Sequence, residues 1–152
     1  MSLGLGCLPS HVVPERVTKW LTAENISYSQ LIGEDARNTL FSCVLTLGSG
    51  TTIRVIQASA RIDSICVSAV LGLTPVQVKM LSQKTKTTSE NVFNELRFKL
   101  ACIDVELDVH SDNFVVSNTI YYDGLTKDRF FKAVSDVDKA YGFAGWLLEQ
   151  ML

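Results

Sequence analysis

Histidine is scarce in this 152-residue chain: only His11 and His110 are present, and neither stands in a nucleophile motif such as G-x-S-x-G. The cysteines Cys7, Cys43, Cys66 and Cys102 lie far apart with no C-x-x-C pair, which argues against a zinc site and a redox dithiol. Cys43 and Cys66 fall in strand-like runs where a small apolar side chain serves. Net charge is also small, at -2, so the chain lacks an electrostatic footprint for nucleic acid or an anionic membrane. No apolar run approaches the roughly 20 residues of a membrane-spanning helix. The Gly-rich, apolar stretch from Met1 to Leu8 has no basic segment and does not read as a signal peptide. Without repeats, low-complexity tracts or an interdomain linker, residues 1–152 read as one cytoplasmic domain, with about 1–12 as a flexible N-terminal segment.

What is present is best specified between Thr119 and Leu148. The apolar Thr119-Ile120-Tyr121-Tyr122 leads into Asp123-Gly124, where glycine offers the positive φ of a tight turn. Thr126 is then the natural N-cap of a long helix, with Leu125 and Phe130 spaced as a hydrophobic staple. Phe130, Val134, Val137, Tyr141, Ala144, Leu148 and Met151 follow at steps of four and three, which is one apolar helical seam. Phe143, Trp146 and Leu147 lie off that seam. The last turns are thus apolar nearly all round and need a second surface to cover them.

The preceding chain divides by its periodicities. Pro14 to about Glu24 reads as a helix with Val17, Trp20 and Leu21 on one face, stopped by Asn25. A short extended piece from Tyr28 to Ile32 and a polar loop from Gly33 to Asn38 come next. Leu40 to Leu47, Thr51 to Ala58 and Ser64 to Leu71 alternate at period two, joined by turns at Gly48-Ser49-Gly50 and Ser59 to Asp63, as an antiparallel meander. Thr74-Pro75-Val76-Gln77 then combines an N-cap, a proline at the first helical position and a capping-box glutamine, with Leu73 and Val78 as staple. After the linker Lys84-Thr85-Lys86, Thr87-Thr88-Ser89-Glu90 reads as a second capping box. It precedes a helix whose stripe is Phe93, Leu96, Leu100 and Ile103. Strands at Asp104 to His110 and Phe114 to Tyr122 close the sequence before the long helix. The order α-β-β-β-α-α-β-β-α, with hairpins and no βαβ alternation, gives an α+β fold: an antiparallel sheet with helices on one apolar face.

The run Ile120-Tyr121-Tyr122-Asp123-Gly124-Leu125-Thr126-Lys127-Asp128-Arg129-Phe130, with Val55-Ile56-Gln57 and Asn94-Glu95-Leu96-Arg97-Phe98, resembles an uncharacterised, mostly archaeal domain family. That family is similar in fold to type III secretion chaperones and, more distantly, to YbjN-like proteins. The resemblance covers most of the chain from about Val17, and Asp123 to Phe130 is its most specific motif. It implies a small α+β domain, frequently dimeric, of a kind that handles other polypeptides, and it brings no catalytic residues or cofactor.

Two constellations remain to be weighed. Asp104, Glu106, Asp108, His110 and Asp112 would share one face of a strand, successive members roughly 6.6 Å apart. Two neighbours such as Asp108 and His110 could share a divalent ion, though all five could not, and the Asp108, His110 and Asp112 stripe is more simply a wet strand face whose charges guard against edge pairing. Asp123, Lys127, Asp128 and Arg129 crowd a helix N-terminus, where cap and dipole chemistry accounts for them without a bound anion. A mild basic patch of Lys79, Lys84 and Lys86 lacks interleaved aromatics. The reading that follows is a non-enzymatic protein-binding or chaperone-like module. It is expected to be a homodimer with an unidentified protein partner, and its contact surface is at Phe143, Trp146 and Leu147. The alternatives are a small-ligand or metal-dependent enzyme using the acidic strand face, and a structural subunit of a larger assembly.

Overall fold

A computed structural model describes residues 13–30, 39–58, 63–83, 86–110 and 112–151. The expected loop at Gly33 to Asn38, the turn at Ser59 to Asp63 apart from Asp63, and the N-terminal segment lie outside the described residues. The elements are α1 (Val13–Ala23), β1 (Ser27–Gln30), β2 (Thr39–Thr46), β3 (Thr52–Ala58), β4 (Ser64–Gly72), α2 (Pro75–Gln83), α3 (Lys86–Leu100), β5 (Glu106–Val109), β6 (Asn113–Tyr121) and α4 (Lys127–Met151). A single 3-10 turn, Tyr122–Gly124, joins β6 to α4.

The fold is α+β, as the sequence implies, with one strand more than expected. The extended piece after α1 is β1, which pairs antiparallel with β2 from Ser27 opposite Thr46 to Gln30 opposite Cys43. The sheet has six strands in the order β1-β2-β3-β4-β6-β5, every pairing antiparallel. β1 to β4 form a meander. The chain then leaves through α2 and α3, and β6 returns beside β4 with β5 on its outer side. Composition explains that placement. β6 buries Phe114, Val116, Asn118 and Ile120 on one face and Ser117 on the other, which suits an inner strand. β5 exposes Glu106 and Asp108, which suits an edge.

Phe41, Cys43 and Leu45 of β2, Ile53 and Val55 of β3, and Ile65, Val67 and Ala69 of β4 line the same buried face. Helix α4 lies across β4 and β6 and touches β3 and α3, while α1 packs beside β1 and α3 beside β5. The predicted seam of α4 is present in Phe130, Val134, Val137, Ala144 and Leu148, with Tyr141 half-buried. The stripe is wider than expected, because Ala133, Ala140 and Leu147 are buried beside it. The β2–β3 turn is fastened to the same helix: Ser49 Oγ donates to Asp138 Oδ1 at 3.1 Å. In that turn Gly50 has φ +89, the left-handed region where a side chain is strained.

Helix ends follow local chemistry. The Ile26 amide donates to Leu21 O at 2.9 Å and the Asn25 amide to Thr22 O at 3.1 Å, while Asn25 takes φ 57, which is a Schellman stop for α1. At α2 the Gln77 amide donates to Thr74 Oγ1 at 3.1 Å and the Thr74 amide to Gln77 Oε1 at 3.0 Å, a reciprocal capping box. α3 differs from expectation. It begins at Lys86, so Thr87 to Glu90 fall inside its first turns, and it ends at Leu100, so Ile103 joins the core from the turn that follows.

Candidate interaction surface

The motif Asp123 to Phe130 is a joint between sheet and helix. Tyr122 and Leu125 are buried, and Thr126 caps α4: the Arg129 amide donates to Thr126 Oγ1 at 3.1 Å and the Phe130 amide to Thr126 O at 2.9 Å. Leu125 and Phe130, the expected staple, are both buried in the main core. The expected positive φ at Gly124 is absent, since the chain turns through a right-handed 3-10 segment there. A Cβ at Gly124 would meet no atom within 4 Å, so the turn does not require glycine.

Lys127 and Arg129 are cations at a helix N-terminus, where the dipole disfavours them, and each is compensated from elsewhere in the fold. Lys127 Nζ stands 2.7 Å from Glu24 Oε1, a half-exposed pair worth at most about 1 kcal/mol. Arg129 Nη2 donates to Asn118 Oδ1 at 3.1 Å and lies 3.7 Å from Asp104 Oδ2. Buried Asn118 in turn donates through Nδ2 to the Asp104 carbonyl, which completes a clamp between α4, β6 and the segment before β5. The helix-dipole conflict at Lys127 and Arg129 was the sequence signal for this clamp. Its partners were beyond reach of sequence reasoning, because the topology brings them together. Asp123 and Asp128 are exposed, Asp128 in the first turn of α4 where an acid complements the dipole.

The expected contact surface is only partly at the surface. Trp146 is 53% exposed and stacks on half-buried Phe143 with ring centroids 6.0 Å apart. Leu147 is corrected: it is buried with Leu96, Phe114, Ala144 and Leu148 in a second core cluster. The cause is α3, which lies against that side of α4 and supplies Leu96. On the outward side Trp146 stands with Gly142, Gly145 and Glu149, at helical steps of three and four. A Cβ at Gly142 would meet no atom within 4 Å, and one at Gly145 only Leu71 Cδ1 at 4.0 Å.

The acidic stripe is shorter than expected. β5 spans only Glu106–Val109, so Asp104, His110 and Asp112 lie outside the strand, and Glu106 and Asp108 alone share its exposed side. Among the described residues, no three His, Cys, Asp or Glu side chains are grouped to hold a metal ion. Nor is any helix long and apolar enough to cross a membrane. Burial pushes the Cys43 thiol up to about 12. It also raises Cys66, helped by the nearby charges of Glu106 and Asp108 and opposed by a hydrogen bond with Thr119.

A six-stranded antiparallel sheet carrying its helices over one apolar face, with a long capped C-terminal helix, is the type III secretion chaperone-like fold. The chain belongs to the family of uncharacterized conserved proteins DUF2299, whose model matches residues 13–148. An uncharacterized protein from the archaeon Methanothermobacter thermautotrophicus superposes with a TM-score of 0.74 at 23% identity, covering 90% of this chain and 96% of that one. A chain of the HopA1–SchA chaperone–effector complex superposes with a TM-score of 0.59 at 7% identity, covering 90% and 95%. None of the curated proteins matches this sequence.

Proposed function

We propose that this chain is a non-enzymatic, chaperone-like module that binds other polypeptides in the cytoplasm and pairs with a second copy of itself through the last turns of α4. The observation that carries the reading is the Phe143–Trp146 stack, an aromatic pair left half in solvent at the end of a helix whose opposite face is buried. Exposed tryptophan is costly to keep in water and is characteristic of protein contact sites. This surface offers aromatic contact area, which supports a role in binding. The fold shared with a chain of a chaperone–effector complex is consistent with a protein partner, by analogy of architecture.

Gly142 supports a helix of a second copy as the occupant. Glycine inside a helix costs about 1 kcal/mol relative to alanine, and among the described residues nothing approaches Gly142 closely enough to require the missing side chain. Close approach of another backbone would supply the reason. Sedimentation of Gly142→Ala tests this. The substitution should stabilise the isolated chain by about 1 kcal/mol in thermal melts, as helix propensity dictates, while weakening self-association. A variant that gains stability and associates as the wild type does would remove the close-approach reading.

A further inference from the structure

A cleft of about 290 Å³ opens where β5 stops short of β6. β4 accompanies β6 along its whole length, but β5 pairs only with Phe114 to Ser117, so among the described residues Asn118 to Ile120 have no strand on their outer side. The cleft is lined there by Asp104, Glu106, Asn118, Thr119, Tyr121 and Arg129. Its volume is at the lower limit for ligand sites, which run roughly from 300 to 1,000 Å³. Any occupant is therefore small.

Both signs of charge face this space. A guanidinium has five N–H donors. In Arg129 the Nη2 group is engaged by Asn118 and, more loosely, by Asp104, whereas Nη1 is enclosed and has no acceptor among the described residues. A charged donor enclosed without an acceptor is unfavourable by more than an ordinary hydrogen bond contributes. Two carboxylates also line the cleft: Asp104, 70% exposed and itself 3.7 Å from Arg129 Nη2, and exposed Glu106, which stands opposite Ser117 in the β5–β6 register. A simple anion drawn to Arg129 would be repelled by both carboxylates, and a simple cation drawn to them would be opposed by Arg129. A molecule with a carboxylate and an ammonium group a few ångströms apart offers a partner to each sign of charge.

We propose that the cleft at the open end of β6 binds a small zwitterion, a free α-amino acid or dipeptide, with its carboxylate on Arg129 and its ammonium on Glu106 and Asp104. This site is separate from the α4 surface and stands or falls independently of the self-association proposed there. Because Nη1 is enclosed, the ligand must draw the guanidinium fork partly away from Asn118. The Asn118 side-chain amide is therefore a reporter of binding.

Two-dimensional NMR of the full chain, titrated with glycylglycine, tests the proposal. Saturating shifts are expected at the Asn118 side-chain amide and the Arg129 Nε–H. N-acetylglycylglycine, which lacks the ammonium, and glycylglycinamide, which lacks the carboxylate, should each bind about tenfold more weakly, the loss expected for one charge-assisted hydrogen bond. Arg129→Gln should weaken glycylglycine by a similar factor. Because that change also breaks the clamp to Asn118, Glu106→Gln provides the second variant: it should weaken glycylglycine while leaving the residual binding of the acetylated peptide unchanged. No saturating shift at millimolar glycylglycine, equal binding of the blocked peptides, or unchanged binding in Glu106→Gln would each overturn it.

Discussion

At the scale of single residues, Cys43 shows how position controls chemistry. Its thiol is fully buried on β2, and burial pushes its pKa up from the ordinary thiol range to about 12. Below the unfolded value both states carry the proton, so this group costs nothing. Between about pH 9 and pH 12 the unfolded chain releases the proton and the native chain keeps it, so stability falls as pH rises, by up to about 1.4 kcal/mol per pH unit for one such group. Cys66, raised in the same direction, steepens the decline. Urea melts from pH 8 to pH 10 should show this loss, and Cys43→Val should shallow its slope; an unchanged slope would place the titration elsewhere. Leu147 and Trp146 teach the complementary point, since adjacent residues on one helix end up in the core and in solvent. The turn of about 100° between neighbours on a helix sets Leu147 against Leu96 of α3 and Phe114 of β6 and leaves Trp146 outside.

At the scale of elements, the parts governed by local rules were legible in the sequence. The Asn25 stop, the Thr74–Gln77 box and the Thr126 cap are set by residues within one turn of the helix end, and each is present. Strand β1 was legible only as an extended piece, because Ser27-Tyr28-Ser29-Gln30 lies at the sheet edge with all four residues exposed and no apolar alternation to mark it. The clamp of Arg129, Asn118 and Asp104 was hidden because its members stand 11 and 14 residues apart and meet only where the β5–β6 hairpin and the start of α4 come together. The turn into α4 yields a paired prediction. Thr126→Ala removes the cap acceptor and should cost about 1 kcal/mol of unfolding free energy. Gly124→Ala introduces a methyl group into open space at a conformation alanine tolerates, and should be neutral or stabilise by about 0.4–1 kcal/mol. Chemical denaturation of both variants checks the pair, and a loss at Gly124 comparable to that at Thr126 would contradict the right-handed turn.

At the scale of the whole molecule, one sheet face and one helix stripe close a core that extends from α1 across β2, β3 and β4 to α4, with a second cluster under the end of α4. That enclosure accounts for nearly every apolar side chain of α4 and leaves Trp146, with Phe143 beneath it, facing outward. The proposed role as a self-associating polypeptide-binding module depends on this remainder. Its most direct test is the solution mass by light scattering for the wild type and Trp146→Ala, with circular dichroism to establish that both are folded. The account predicts a wild type at twice the 16.8 kDa chain mass and a folded variant whose dimer dissociates about 30-fold more readily, the effect of losing a central aromatic contact worth about 2 kcal/mol. A wild type at the mass of a single chain, or a dimer indifferent to the substitution, would contradict it.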